Sequence, residues 1–458
     1  MAKHERFGFA SAGELLEKAA ALGVDFALGD DLAPLAKPVR VGARIAPNSL
    51  AALPMEGCDC EPDGSPSELA ERRYLRFAGG GAGLLWWEAC AVVEEGRANP
   101  LQMMLTAGNA KSFEALLAKA NRAAGDAMGG GHRPIHILQL THSGRYSRPR
   151  GHRPMPVIPQ HDPILDPLVG LGGGEPVVTD AYLDELPGRY AESARLARDA
   201  GFDGVDIKAC HRYLVSELLA SRVRDGRYGG NFENRTRLLA EAVKAVRQAT
   251  GPDFVIACRF NIFDAHPYPY GFGEGRDDFM DFDADEPLRL VRLLRDAGVG
   301  LLSNTAGNPY YIYPQVTRPF DASSQGIPVP DEHPLESVAR LFGFTRAVQR
   351  AAGGAPVVGN GYSWLRQFAP LAGAANLAAG DCGFVGFGRG SFAYPDAPRD
   401  ILLSGGMDPK KCCVACSKCT QIMRDHGRTG CVVRDAGVYG PLFREARAEA
   451  AARAAQAV

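Results

Sequence analysis

The chain has 458 residues, 46% of them apolar and 23% charged, with a formal net charge of −2. These are the proportions of an ordinary globular protein, and a charge so near zero gives no reason to expect a nucleic-acid surface. No apolar run approaches the ~20 residues of a membrane helix, and the opening MAKHERFGFASAGE lacks the apolar core of a secretory leader.

Residues 1–40 read as an N-terminal extension. Within it Ser11 precedes Glu14 by three residues, the register of a capping box, at the start of a short helix AGELLEKAAALG. A proline-containing connector over 30–39 follows. Short apolar runs then alternate with amphipathic stretches. The strand-like runs are 49–55, 83–87, 135–140, 204–207, 254–260, 298–303, 356–358 and 383–386. The helical stretches are 66–77, 112–128, 180–200, 233–249, 286–297, 334–352 and a shorter one at 364–374; Leu288, Val291, Leu294 and Ala297 mark the clearest stripe. Eight buried strands, each followed by a helix, predict an α/β fold, a (β/α)8 TIM barrel over residues 41–405. A doubly wound sheet competes but seldom needs eight such units. Three connections are long, 141–179, 261–287 and 305–334, and loops of that length in a compact domain are usually lids or binding loops. Residues 406–458 form a C-terminal Cys-rich segment that ends in a surface helix, EARAEAAARAAQA.

Five of the eleven cysteines lie within residues 412–431, CCVACSKCTQIMRDHGRTGC. Cys413, Cys416 and Cys419 are spaced C-x2-C-x2-C, and Cys431 follows after eleven intervening residues. Four thiolates brought to one centre suit a [4Fe–4S] cluster or a structural zinc. Three within seven residues plus a distant fourth match ferredoxin-type ligation better than the paired motif of a zinc ribbon. Cys412 could replace Cys413 as first ligand. An odd, clustered set of cysteines argues for a reducing compartment, so a cytoplasmic protein is expected.

At residues 201–235 the chain reads GFDGVDIKACHRYLVSELLASRVRDGRYGGNFENR. This resembles the old yellow enzyme family of flavin-dependent ene-reductases. The likeness continues in order through ALPM at 52–55, GGAGLLWWEA at 80–89, HILQLTHSGR at 136–145, CRF at 258–260, VVGNG at 357–361 and GFGRG at 386–390. With the C-terminal cysteines it narrows to the 2,4-dienoyl-CoA reductase and trimethylamine dehydrogenase branch, which carries FMN in the barrel and a [4Fe–4S] cluster just after it.

Several roles follow from that resemblance. Gly359, Asn360, Gly361, Gly388 and Arg389 would bind the FMN phosphate at the ends of the last two strands, where barrel phosphate sites form. Arg259, costly on a buried strand without an anion, would face the N1–O2 edge of the flavin. Gln139 would bond the ring's amide edge, and Pro54, Met55 and Ala89 would contact its surface, although Met55 read alone is core packing. Lys208 and His211 would polarise a substrate carbonyl, with Lys208 departing from the family's usual histidine. Tyr213 would protonate the carbon that does not receive hydride. A second acid near residues 304–311 is unassigned, because Tyr310 and Tyr311 stand where the dienoyl-CoA reductases carry histidine. The basic run of Arg145, Arg148, Arg150 and Arg153 is either a solvated lid face or a site for an anionic substrate.

No G-x-G-x-x-G follows Cys431, and AGGGAG at 78–83 precedes a strand instead of following one. The expectation is a chain without its own FAD and NAD(P)H module, fed through the cluster by a separate ferredoxin- or flavoprotein-type donor. It would reduce a small unsaturated carbonyl compound, and a homo-oligomer is compatible with all of this. A second reading reverses the electron flow: an amine dehydrogenase, with Trp86, Trp87, Tyr310 and Tyr311 as rings around an ammonium. A third, of another class, is a zinc-stabilised barrel scaffold without flavin.

Overall fold

In the computed structural model, residues 4–311, 316, 319 and 329–456 are described. A two-stranded antiparallel hairpin, β1 (Val39–Val41) and β2 (Arg44–Ala46), precedes the main sheet. That sheet comprises β3 (Leu50–Ala52), β4 (Leu84–Ala91), β5 (Ile135–Thr141), β6 (Gly204–Ile207), β7 (Val255–Phe263), β8 (Leu301–Ala306), β9 (Val357–Gly359) and β10 (Phe384–Phe387). These eight close into a barrel in chain order, β10 pairing back onto β3 in parallel. The closed barrel excludes the doubly wound alternative.

The strands are near-continuous apolar runs because both faces are covered. Inward, Ala51, Leu84, Trp86, Ile137, Ala257, Leu301, Val358 and Phe384 fill the barrel, and Val41 and Ala46 of the hairpin pack against this layer. The hairpin had no expected counterpart: its three-residue strands fall below the length at which alternation can be read. Outward, the strands pack on helices Glu68–Gly79, Ala110–Met128, Asp180–Asp199, Phe232–Thr250, Asp285–Asp296, Pro334–Ala351 and Ala369–Ala378. Thr179 and Asn231 cap two of them by accepting from the backbone N–H of Tyr182 and Asn234. On Asp285–Asp296 the buried stripe is Pro287, Leu290, Val291 and Leu294; Ala297, expected in it, is the exposed C-cap.

Three strands run three residues or more past their expected ends: β8 continues to Ala306, and the other two carry irregularities. β4 continues to Ala91 past an irregularity between Trp86 and Ala89, and β7 continues to Phe263 past one between Asn261 and Phe263. Such irregularities re-aim side chains near sites. Part of the third long connection, residues 312–315, 317, 318 and 320–328, lies outside the described residues.

Helix Ala12–Leu22 buries Leu15 and Ala19 in a cluster with Leu335, Trp364 and Phe368. After β10, the segment bearing the cysteines crosses the C-terminal ends of the strands. It is tied down by Thr429 N–H to the Gly57 carbonyl (2.6 Å), and by Asp435 to Arg72 (2.7 Å) and Arg76 (2.6 Å). Among the described residues no helix is long and apolar enough to cross a membrane.

Candidate active site

A cavity of about 1240 Å³, including its open mouth, lies over the C-terminal ends of the strands, where barrel enzymes keep their sites. It brings together Pro54, Met55, Gln139, Lys208, His211, Tyr213, Arg259, Asn360, Gly361, Gly388 and Arg389. Ala89 is fully buried beside Gln139 in register and does not line it.

One half of the cavity is the end of β7, β9 and β10. Gly361 has φ +97°, a left-handed conformation in which a side chain would be strained. The Arg259 guanidinium makes no ion pair among the described residues, and its buried Nε has no partner. The buried Asn304 amide, on β8, is likewise unpartnered at both atoms. The Arg259 group is one that an anionic, hydrogen-bonding ligand would satisfy; Asn304 pairs in register with Phe260 and does not line the cavity. Below them Asp206 accepts from Gln139 Nε2 (2.6 Å), Trp86 Nε1 (2.9 Å) and the Arg259 backbone N–H (2.8 Å). Burial pushes its carboxyl up to about 6. Asp206 therefore orients Gln139, leaving the amide oxygen as its free acceptor.

The other half is built on the turn after β6. His211 (φ +65°) and Arg212 (φ +57°) are successive left-handed residues, a strained turn of the kind found at functional sites. Arg212 locks it from behind through Asp264 (2.9 Å) and Asp162 (3.4 Å). The turn brings Lys208, His211 and Tyr213 to one wall. Lys208 Nζ donates to Glu56 Oε1 at 3.1 Å and lies 3.8 Å over the Tyr213 ring. The Tyr213 hydroxyl faces Glu56 Oε1 at 3.4 Å and the Tyr310 hydroxyl at 2.8 Å. Burial, with Glu56 beside it, raises the Tyr213 phenol well above its ordinary value, so the phenol keeps its proton. Tyr146 stacks on Tyr310 at 3.9 Å and completes an aromatic wall.

Three expectations are corrected here. Trp86 points into the barrel and bonds Asp206, while Trp87 points out, stacked on Tyr74 at 3.7 Å. Neither faces the cavity, because adjacent strand residues alternate and both sit below its floor. Tyr311 packs on His266 and does not line it. Arg145 is no lid residue: it is fully buried and paired with Glu217 (2.6 Å) and Asp166.

Cys413, Cys416, Cys419 and Cys431 line a second, much smaller cavity. Ala415 and Ser417 at φ +53° and +56° curl the chain between them. Backbone N–H groups of Ala415 and Arg434 point at the sulfurs of Cys413 (3.4 Å) and Cys431 (3.3 Å). Cys412 is turned away: 1% exposed, packed on Tyr394, it donates to the Asp408 carbonyl at 3.3 Å. Cys419 and Arg389 line both cavities and form the wall between them. Among the described residues, Asp59, Cys60 and Glu88 are the one trio of potential ligands with donor atoms all within 4.8 Å; the four cysteine sulfurs are not drawn that tightly together. The trio itself is neutralised by Arg73, which bonds both carboxylates.

Residues 34–274 match the model of the NADH:flavin oxidoreductase / NADH oxidase family. The chain belongs to this family. The NADH oxidase of Thermoanaerobacter brockii is 26% identical over 382 residues, 82% of this chain and 52% of that protein. The cinnamate reductase of Clostridium sporogenes is 25% identical over 429 residues, 89% of this chain and 58% of that protein. The solved complex of 2-naphthoyl-CoA reductase with 2-naphthoyl-CoA superposes at a TM-score of 0.67 and 21% identity, covering 88% of this chain and 57% of that one, a likeness of fold. The chain spans about half the length of the first curated relatives it matches. The family is the one that the order of the motifs implied.

Of the residues that build this cavity, Glu56, Asp206 and Tyr146 were not expected from the sequence. Glu56 directly follows Pro54 and Met55 at the end of a barrel strand, a position that by itself signals a site residue. Asp206 lies inside the GFDGVDIK motif. Tyr146 carried no local signal, since only folding brings it onto Tyr310.

Proposed function

We propose that this chain is an FMN- and [4Fe–4S]-dependent ene-reductase acting on the activated C=C of an α,β-unsaturated carbonyl compound, an enone or enoyl thioester. The observation that carries the reading is one cavity in which Arg259, without a counter-ion among the described residues, faces a wall of Lys208, His211 and Tyr213. The similarity to a cinnamate reductase supports it.

FMN would supply hydride to the alkene. Arg259, Gln139, Pro54 and Met55 would hold its ring, and Asn360, Gly361, Gly388 and Arg389 its phosphate. Ala89 would support the ring from behind Gln139. Lys208 and His211 would take the carbonyl oxygen, stabilising charge as it develops there. Tyr213, kept neutral by burial, would give its proton to the other alkene carbon. Glu56 would aim Lys208, and Tyr310 would stand next in line to reprotonate Tyr213.

Cys413, Cys416, Cys419 and Cys431 would hold the cluster, which would deliver single electrons received from a separate donor protein. Three cysteines within seven residues plus a distant fourth suit a cluster better than the paired motif of a zinc ribbon. The backbone N–H groups on Cys413 and Cys431 are the contacts that tune cluster potentials. In this reading residues 41–405 form the flavin barrel, 406–458 the cluster segment and 1–40 an extension.

The stacked Tyr146 and Tyr310, with Tyr213 and the Glu56 carboxylate, also suit an ammonium, as in an amine dehydrogenase. Lys208 in the same wall opposes a cationic substrate. Anaerobically purified protein should carry about four irons and one FMN per chain. Its reduced flavin should be reoxidised by enones or enoyl thioesters, and methylated amines should leave the oxidised flavin unchanged. Flavin reduction by amines, or a colourless protein with one zinc, would reject the proposal.

A further inference from the structure

The wall between the strand-end cavity and the cysteine cavity contains a direct hydrogen bond. Arg389, which lines both, donates through Nη1 to Ser417 Oγ at 3.2 Å. Arg389 follows β10 as the first residue of the short helix Arg389–Ala393. Its Nη2 donates to the Pro319 carbonyl at 3.2 Å. The next residue, Gly390, donates its backbone N–H to Ser363 Oγ at 3.1 Å, and Ser363 lines the strand-end cavity with Gly361 and Gly388. Among the described residues Arg389 pairs with no carboxylate, so its charge is available to an anion in that cavity.

Ser417 belongs to the other site. It lies between Cys416 and Cys419 in the chain, lines the cysteine cavity and is 2% exposed. Its carbonyl accepts from the backbone N–H groups of Thr420 and Gln421, both at 3.0 Å, at the start of helix Lys418–Arg424. Ser417 and Ala415 have φ of +56° and +53°. Residues other than glycine keep such a conformation only where their surroundings over-determine it. Bonds from the flanking cysteines to one centre supply that constraint. Without them the turn is free to relax, and relaxation carries the Ser417 hydroxyl away from Arg389.

We propose that the Arg389–Ser417 hydrogen bond makes the two sites cooperative. Ligation at the four cysteines fixes Ser417, Ser417 fixes Arg389, and Arg389 then grips the flavin phosphate more tightly. The effect is reciprocal, because one coupling free energy links the two sites. The proposal rests on reading the strand-end cavity as the FMN site and the cysteines as the cluster site. Ser417 touches neither reacting atoms nor substrate; it is a positioning residue that acts through Arg389.

The test measures dissociation constants by flavin fluorescence on the full chain under argon, with iron and sulfide reconstituted and again after chelation of the iron. The probes are FMN and riboflavin, the same ring without its phosphate. The wild-type chain with iron should bind FMN about tenfold more tightly than the chelated chain, the worth of one hydrogen bond to a charged group. Riboflavin should bind both forms alike. S417A and S417G each remove the hydroxyl, and glycine does so at a φ that suits it. In both variants the FMN ratio should fall towards one while iron content stays near that of the wild type, which separates a lost bond from a lost turn. Equal FMN affinity of the two wild-type forms, a ratio that survives in both variants, or a riboflavin ratio as large as that of FMN overturns the coupling. A chain that takes up FMN but no iron overturns the cluster reading and the coupling together, whereas two filled sites that ignore one another overturn the coupling alone.

Discussion

Lys208 Nζ lies 3.1 Å from Glu56 Oε1, across a sequence separation of 152 residues, with the lysine side chain 2% and the glutamate 14% exposed. The cation proposed to polarise the substrate is thus held by an acid from the first barrel loop and by the Tyr213 ring beneath it. Its charge is compensated and its direction fixed before substrate arrives.

Glu56→Gln should lower kcat/KM about 10- to 100-fold, the cost of removing a charge-assisted bond in a largely buried site. Glu56→Asp should fall between the two. The flavin content should not change. Steady-state kinetics and flavin quantitation on the same preparations check this.

Tyr213→Phe should slow reoxidation of the reduced flavin by substrate about 10²- to 10⁴-fold, the usual contribution of a positioned general acid. Reduction of the flavin by dithionite should be unaffected. Because the phenol is raised well above its ordinary value, it stays protonated through pH 10. The wild-type enzyme should therefore show no loss of rate near pH 10 attributable to this group. Stopped-flow traces across pH 6–10 for both proteins would reveal such a limb.

Asp206 is fully buried and pushed up to about 6 from an ordinary value near 3.8. Between those pH values the folded state binds more protons than the unfolded one, so stability falls as pH rises. The change amounts to about 3 kcal/mol, complete above pH 6 and absent below pH 4. Asp206→Asn should remove this slope from a plot of Tm against pH. It should also lower Tm at low pH, since an amide N–H would confront the donors from Gln139, Trp86 or Arg259.

Cys416→Ala and Cys431→Ala should lose most of the bound iron and the broad visible absorbance of a cluster. Cys412→Ala should keep both, because that sulfur lies outside the cysteine cavity and bonds the Asp408 carbonyl. Iron analysis under argon, normalised to protein, distinguishes them. Equal loss in all three variants would reassign the ligand set.

Arg145→Ala should destabilise strongly, by about 3–5 kcal/mol, because it leaves Glu217 and Asp166 as buried charges without their cation. A surface lid arginine would give almost nothing. Thermal unfolding with the flavin bound measures the difference.

What the sequence determined was local or collinear. Apolar runs separated by amphipathic helices specify a barrel, since strand burial and helical periodicity are written in neighbouring residues. The ordered motifs locate strand ends, and with them Lys208, Tyr213, Arg259, Asn360 and Arg389. The cysteine spacing names Cys413, Cys416, Cys419 and Cys431. Tertiary structure alone decided which partner each side chain meets. Trp86 and Trp87 face below the cavity because strand alternation and barrel register set their direction. Arg145 disappears into an ion network supplied by two later segments. Cys412 and Cys413 are chemically alike in the chain and part only because the fold turns one sulfur inward, onto Tyr394. Glu56 reaches Lys208 only when the barrel closes, and closure is a long-range event that no window of neighbouring residues encodes.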